Sequence, residues 1–325
     1  MNIITQDPLN VLKSTKAVLE KAQFVSINQD NIQTIANQLL EDCEEKLNSM
    51  KKDFHLAGNL EDNLQLVFIE DVVNFCFWAD KDKFKWQTEW PSGNIIFGGW
   101  YSLKSCFERA LHNKVPILDA NYLSSISSED AKNFFKGVDD TQIPLLENRT
   151  DNLREAGKIL LSEFNGKFVN VLEASEFDAI KLVQLIIKYF PSFRDISVIE
   201  GNEVFFLKRA QICACDVSYL LKKDKLSNFP LLTAFADYKL PQILRMFDII
   251  EYSDDLAKKI DNMEEIPHDS REEIEIRSAT IWAVELIRQK IGKMPTSNID
   301  NLLWLMSQKI QDKAKPYHRT RTIYY

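Results

Sequence analysis

Glycine is scarce in this sequence, with only nine among 325 residues. Doubly wound nucleotide-binding folds place glycine at the turns that hold phosphate groups. Neither a G-x-G-x-x-G fingerprint nor a P-loop occurs in the chain. The segment GGW at 98–100 is typical of a turn rather than of a phosphate-binding loop. The scarcity therefore argues against a doubly wound fold.

Metal-binding and nucleophilic motifs are also missing. The five cysteines include no C-x-x-C pair, and the four histidines show no H-E-x-x-H or paired metal spacing. No G-x-S-x-G elbow occurs, so zinc hydrolysis and covalent serine chemistry are poorly supported. We expect no metal and no cofactor. An odd, scattered set of cysteines indicates free thiols in a reducing compartment.

The chain lacks both an excess of basic residues and a long apolar run. Its net charge is −8 and its pI is about 5.3, whereas general nucleic-acid binding needs clustered lysine and arginine. We therefore expect no stable nucleic-acid complex, although a local pocket for one phosphate remains compatible. Acidic residues interrupt the apolar stretch 66–80, and MNIITQDPLN is not a secretory signal. These features predict a soluble cytoplasmic protein with no membrane partner.

Helical periodicity dominates what is present. Apolar residues recur at spacings of three and four in 31–47, 176–190, 241–250 and 270–292, which we predict as helices. Ser270 and Glu273 have the spacing of a capping box, and Gly292 ends that pattern. Pro241 occupies a first-turn position, where its missing N–H costs little.

Strand signals are few, so the sequence predicts a mainly α fold with a small β-hairpin or sheet. One hairpin is expected near 83–100, and a weaker alternation covers 167–174. No Gly/Ser-rich or Pro-rich linker and no repeat of solenoid period divides the chain. We expect residues 1–325 to form a single domain, and leave open an arrangement of two lobes around a cleft.

Asp237 in TAFADYKLPQ (233–242) is the sharpest candidate for chemistry, because it lies between Phe235 and Tyr238. A carboxylate held against aromatic rings loses water and acts more strongly on a nearby cation. Such a group suits a positively charged transition state, as in glycosidic bond cleavage. Alternatively, Asp237 caps the helix that opens near Pro241, and the pattern alone favours this cap.

Aromatic and basic residues supply further candidates with two interpretations each. Phe235 and Tyr238 could stack on a planar base, although core packing is the commoner role of such rings. Lys208 and Arg209, in FFLKRAQ, follow an apolar run in a pattern typical of a helix. Either could bind a phosphate, or extend along the helix surface, and the local sequence favours neither interpretation.

Asp300 also has a structural and a functional interpretation. Ser297 and Asp300 have capping-box spacing, which makes a helix start the leading interpretation. The functional one is a carboxylate that accepts hydrogen bonds from a guanine-like base, with Trp304 one turn later beside it. His55, in DFHLAG, is a weaker candidate, because a lone histidine is usually structural or exposed.

The aromatic-rich closing segment YHRTRTIYY predicts a tail docked into the fold.

Several ordered segments, taken together, resemble a known family. They are DVVNFCFWAD (71–80), GGWYSLKSCFERAL (98–111), REAGKILLSEFNGKFVN (154–170), FPSFRD (190–195), FFLKRAQI (205–212), TAFADYKLPQ (233–242), YSDDLAKK (252–259), EEIEIRSATIWAVELIR (272–288) and YHRTRTIYY (317–325). On these segments the chain resembles the queuosine salvage proteins, the queuosine 5′-phosphate N-glycosylases. The resemblance covers most of the chain, although no single segment is a short diagnostic signature.

The resemblance implies a specific reaction on a small nucleotide. Enzymes of this family hydrolyse queuosine 5′-phosphate to queuine, a 7-deazaguanine base, and ribose 5-phosphate, so that queuine is reused in tRNA modification. The implied fold is mostly helical and similar to that of DNA glycosylases. The family's catalytic aspartate corresponds to Asp237, its base-stacking aromatic to Phe235 and its phosphate-contacting lysine to Lys208.

Parts of the family pattern match less well in this chain. Asp300 and His55 align through few residues, and after Trp304 the chain has Leu305 and Met306 where relatives are more acidic. Three other interpretations remain: a non-catalytic binding protein for queuine or a related 7-deazaguanine base, a nucleic-acid glycosylase, and a helical scaffold for other proteins. Binding without product formation would distinguish the first from an enzyme, and steep salt dependence would indicate the second.

Overall fold

Helices dominate the fold. A computed structural model describes residues 6–41, 43–51, 58–221, 226–310 and 313–325. The helices in these residues are α1 (Val11–Leu19), α2 (Ile32–Leu40), α3 (Cys43–Lys51), α4 (Leu60–Val72), α5 (Gly99–His112), α6 (Ala120–Ser124), α7 (Ser128–Phe134), α8 (Leu146–Glu163), α9 (Phe168–Ala174), α10 (Ala179–Tyr189), α11 (Lys208–Leu220), α12 (Lys239–Met246), α13 (Asp254–Asp261), α14 (Arg271–Ile291) and α15 (Thr296–Lys309). The predicted mainly α fold is confirmed. Among the described residues, no helix is both long and apolar enough to cross a membrane.

The strands form three separate antiparallel pairs. They are β1 (Val25–Ile27) with β6 (Ile250–Tyr252), β2 (Thr88–Glu89) with β3 (Ile95–Ile96), and β4 (Ile196–Ile199) with β5 (Asn202–Phe205). The hairpin predicted near 83–100 is confirmed, with strands of only two residues. The other two pairs were not predicted. Glu200 and Gly201 link β4 to β5 with φ angles of 51° and 76°, as a tight two-residue hairpin turn requires.

Capping explains where the predicted helices begin. In α14 the Ser270 hydroxyl accepts a hydrogen bond from Glu273 N–H at 3.2 Å, and the helix ends before Gly292, whose φ is 92°. In α10 Asp178 accepts from two backbone N–H groups at 2.9 and 3.0 Å, so the helix begins at Ala179. The pattern over 31–47 becomes two helices, α2 and α3, rather than one.

The strand predicted from the weak alternation at 167–174 is wrong, because this segment forms α9. Phe168, Val171 and Leu172 are fully buried and have the spacing of one helix face. The Phe168 ring stacks on Phe68 of α4 with centroids 4.4 Å apart. Burial of this face outweighs the β-propensity of the valines, which is a weak preference in comparison.

The core surrounds α14, which packs against α1, α2, α12 and α15. Residues of α14 are buried on nearly all sides, including the charged side chain of Arg277. Helix α11 packs against α4 and α10. These contacts fix the first turns of α11 and α12, and both turns contribute to the site described below.

The closing segment 317–325 docks into the fold, as predicted. His318, Thr320 and Tyr325 are each only 1% exposed. The backbone carbonyl of Arg319 accepts a hydrogen bond from Ile266 N–H at 2.8 Å, and that of Tyr325 accepts from Cys76 N–H at 2.8 Å. The segment therefore belongs to the core rather than to a loose tail.

Candidate active site

One cavity brings together residues from distant parts of the chain. It has an empty volume of about 1020 Å³, including its open mouth. On α11 the residues that line it are spaced by four, as are three on α15, so each helix presents one face. The lining includes Lys208, Ile212 and Asp216 of α11, Asp300, Trp304 and Gln308 of α15, and Phe235, Asp237, Tyr238 and Lys239.

Asp237 is both a helix cap and a cavity residue. Its Oδ1 accepts hydrogen bonds from Lys239 N–H at 2.7 Å and Leu240 N–H at 2.9 Å, in the first turn of α12. Its Oδ2 has no hydrogen-bond donor within the part of the chain that the structure describes. The predicted cap is therefore confirmed, and it leaves one carboxylate oxygen available to a molecule in the cavity.

Lys208 enters the cavity from the first residue of α11. Its backbone N–H donates to Asp195 Oδ2 at 3.0 Å, and its Nζ lies 3.5 Å from the carbonyl oxygen of Asn74. The side chain is 5% exposed and forms no ion pair with the described residues. The apolar run before it, 205–207, consists of the last residue of β5 and a two-residue link rather than part of a helix, and α11 begins only at Lys208.

Arg209 is excluded from the cavity by its own hydrogen bonds. Its guanidinium donates to the carbonyl oxygens of Asp71 at 3.0 Å, Val72 at 2.6 Å and also Ser192. These backbone contacts fix the turn after α4 against α11. Of the two candidate cations, Lys208 alone lines the cavity.

The capping box predicted for Ser297 and Asp300 is wrong. Helix α15 begins at Thr296, and Ser297 lies inside it with a buried hydroxyl that has no partner among the described residues. Asp300 Oδ2 instead accepts the backbone N–H of Phe235 at 2.7 Å, across 65 residues of chain. This bond ties the segment that carries Asp237 to α15.

Aromatic rings form much of the remaining lining. Phe235 and Tyr238 are 2% and 9% exposed, and Trp304 is half-buried. The Tyr238 ring lies 4.8 Å from that of Tyr317, and the Trp304 ring lies 5.9 Å from that of Tyr101. A planar ligand would therefore meet an aromatic surface on more than one side.

Six of the seven predicted site residues line this cavity. The seventh, His55, lies outside the described residues. Sequence reasoning missed Asp216, Lys85, Lys239 and Trp100, which also line it. Asp216 follows Lys208 by eight residues on the same helix face, so this spacing was a signal that could have indicated it.

Burial controls the charge state of the cavity. Burial raises the pKa of Asp237, Asp300 and Asp216 above their usual range, and Lys208 acts in the opposite direction on each. Burial likewise lowers the pKa of Lys208, while Asp237 raises it. Behind them, burial raises the pKa of Asp71 to about 7. The raised pKa values favour neutral carboxyl groups in the free protein, and a cation bound in the cavity would favour their ionised forms.

Arg277 of α14 connects the two halves of the site. Its guanidinium donates to Asp195 Oδ1 at 2.8 Å and Oδ2 at 2.6 Å, and its Nε–H donates to the carbonyl of Ala236 at 3.1 Å. Asp195 in turn accepts the N–H of Lys208. One buried side chain thus fixes the residue before Asp237 and the start of α11.

A histidine–carboxylate group lies elsewhere, next to α14. Ligand atoms of His268, Asp269 and Glu273 come within 4.8 Å of one another. Both oxygens of Glu273 already accept hydrogen bonds, from Tyr325 Oη–H at 2.9 Å and Asp269 N–H at 3.0 Å. These contacts give the group a structural role at the docked segment.

The fold and the cavity define a mainly helical protein with a small-molecule site, where carboxylates and aromatic rings surround Lys208. Comparison with known proteins agrees with this class. Residues 54–325 match the family described as Queuosine salvage protein. The chain belongs to the queuosine salvage protein family, which confirms the resemblance inferred from its segments.

Similar proteins from distant organisms match almost the whole chain. A Sphaerobacter thermophilus protein named queuosine 5′-phosphate N-glycosylase/hydrolase is 36% identical over 326 residues, which is 98% of each chain. Proteins of the same name from Mus musculus and Bos taurus are 34% identical over 337 residues and 33% identical over 335. These alignments cover 98% and 96% of this chain, and 99% and 98% of the mouse and bovine chains.

Proposed function

We propose that the protein hydrolyses the N-glycosidic bond of queuosine 5′-phosphate and releases queuine and ribose 5-phosphate. The observation that carries this proposal is the position of Asp237. Two backbone N–H groups hold one of its carboxylate oxygens, and the other oxygen is available to the cavity. The names of the relatives support the same reaction. The released queuine would be available for tRNA modification.

The chemistry of a 7-deaza base explains why a carboxylate is needed. Such a base has carbon at position 7 and cannot be activated by protonation there. More of the barrier must be lowered by stabilising the cationic sugar and orienting water. As the C1′–N9 bond breaks, Asp237 stabilises the positive charge at C1′ and positions the attacking water. The water oxygen bonds to C1′, and the departing base takes up one proton.

The base is held by the residues around Asp237. Phe235 stacks on its face, and Tyr238 and Trp304 complete the aromatic surface. Asp300 uses one oxygen for Phe235 N–H, and its second oxygen is available to accept from the amine edge of a guanine-like base. His55 remains a predicted substrate contact.

Lys208 is proposed to bind the 5′-phosphate. Lys208→Ala should reduce kcat/KM for queuosine 5′-phosphate more than it reduces kcat/KM for the unphosphorylated nucleoside. We expect the difference to be about tenfold or more, because only the phosphorylated substrate loses a charge-assisted hydrogen bond. Steady-state kinetics on both substrates measures the difference. Lys258→Ala, whose side chain is 74% exposed, should change neither. Equal losses of kcat/KM on both substrates would show that Lys208 does not bind the phosphate.

Queuine release tests the reaction itself. Purified protein is incubated with queuosine 5′-phosphate, beside the nucleoside, and products are followed by chromatography with mass detection. Release that favours the phosphate supports the proposal. Tight stoichiometric binding of queuine without release, by folded protein, would instead indicate a non-catalytic binding protein.

We propose that the protein acts on free nucleotide in the cytoplasm, without a stable nucleic-acid complex. All five cysteines are free, and four of them are buried, which suits a reducing compartment. The net charge of −8 disfavours general binding to a nucleic-acid backbone. A measured affinity for tRNA that falls steeply with salt would contradict this.

A further inference from the structure

Asp216 is a buried carboxylate that the proposed reaction does not use. It lies on α11, two turns after Lys208, and its side chain lines the cavity. It is 8% exposed, and its carboxylate makes no hydrogen bond or ion pair with any residue that the structure describes. Burying a carboxylate without a partner is unfavourable, so a group of this kind is explained best by a ligand that supplies the partner.

Other ionisable side chains are buried around Asp216. Glu70 and Lys104 form a buried ion pair at 3.0 Å. Asp71 Oδ2 is buried and unpartnered within the described chain, and Asp71 acts electrostatically on Asp216. Lys104 and Lys208 act electrostatically on Asp216, but the described contacts include no direct ion pair between Asp216 and either of them. A positively charged group on a ligand would give Asp216 the direct partner that the described residues do not supply.

Aromatic rings add to the attraction for a cation. Trp100 and Trp304 line the same cavity as Asp216. The Trp100 ring already lies 5.6 Å from the ammonium of Lys104. Rings of this kind stabilise ammonium groups through their negative faces. The chemical class that suits this part of the cavity is therefore a protonated amine.

We propose that Asp216 is a specificity-determining residue that pairs with a protonated amine on the base of the substrate. The inference rests on the proposed function, because the 7-deazaguanine of queuosine carries a secondary amine on its C7 side chain. Lys208 and Asp216 are about 12 Å apart along α11 by helical rise. The helix thus presents a cation to the phosphate end of a nucleotide and an anion to its base end.

Two substrates test the proposal, because only one of them carries the protonated amine. Queuosine 5′-phosphate carries the amine, whereas 7-cyano-7-deazaguanosine 5′-phosphate has an uncharged group at the same carbon. Asp216→Asn keeps the shape and removes the charge. We expect kcat/KM to fall about tenfold to a hundredfold more for the charged substrate than for the cyano nucleotide. Asp255→Asn, whose side chain is 90% exposed, should alter neither value.

Equilibrium binding makes the test independent of turnover. The dissociation constants of queuine and 7-cyano-7-deazaguanine are measured by calorimetry for the wild type and Asp216→Asn. A wild-type preference for queuine that disappears in the variant supports the role of Asp216, even if no nucleotide is hydrolysed. A preference that survives, or a wild type with none, overturns it. Asp216→Asn should be at least as stable as the wild type, since it removes a buried ionisable group that has no hydrogen-bond partner among the described residues.

Discussion

Asp237→Asn should lower the rate of queuine release by about a hundredfold or more. Asparagine has nearly the same shape, and its carbonyl oxygen can still accept from the N–H groups of Lys239 and Leu240. The variant therefore keeps the cap of α12 and loses only the negative charge that we propose faces the sugar. Single-turnover release from queuosine 5′-phosphate measures the effect on the chemical step.

Two controls make this result specific. Thermal unfolding of Asp237→Asn should match that of the wild type, which shows that the fold and cap are intact. Asp255→Asn, on the exposed face of α13, should keep normal turnover. Near-normal turnover by Asp237→Asn would contradict the catalytic role and leave Asp237 as a helix cap alone.

Arg277→Met should lower the free energy of unfolding by about 3–5 kcal/mol, because it leaves Asp195 buried without its cation. The same change removes the donor to Ala236, next to Asp237, and disturbs the group that holds the N–H of Lys208. We therefore also expect kcat to fall in the protein that remains folded. Urea unfolding and kinetics at low temperature measure the two effects separately.

A matched arginine provides the comparison. Arg245 donates to both carboxylate oxygens of Asp261 at 2.7 and 3.1 Å, the same two-point geometry, but Asp261 is 42% exposed. Arg245→Met should therefore cost about 1 kcal/mol or less. If Arg277→Met were no more destabilising than Arg245→Met, the central role of Arg277 would be wrong.

Sequence reasoning succeeded where local pattern determines structure. The bounds of α14 follow from Ser270 and Gly292, which act on the backbone within one turn. The first turn of α12 and its cap by Asp237 are equally local. The family resemblance then supplied a predicted catalytic role for Asp237, for which the local pattern alone favoured a cap.

Sequence reasoning failed where the partner is distant. Asp300 has the spacing of a capping box, but its partner is the N–H of Phe235, 65 residues away. Arg277 and Asp195 are 82 residues apart, and no local pattern connects them. The pairing of β1 with β6 joins two strands of three residues that are far apart in the chain, with Ser26 opposite Glu251. Such contacts depend on tertiary packing, which overrides short-range preference.

The two hydrogen bonds that hold Asp237 Oδ1 also determine the stage at which the Asp237 side chain loses its conformational freedom. They restrict the side chain, so its conformational entropy is given up during folding and, in the proposed reaction, is not lost again in each catalytic cycle. Fraying of the first turn of α12 would return that freedom to the carboxylate. Heat that loosens this turn should therefore reduce turnover at temperatures where the rest of the chain is still folded.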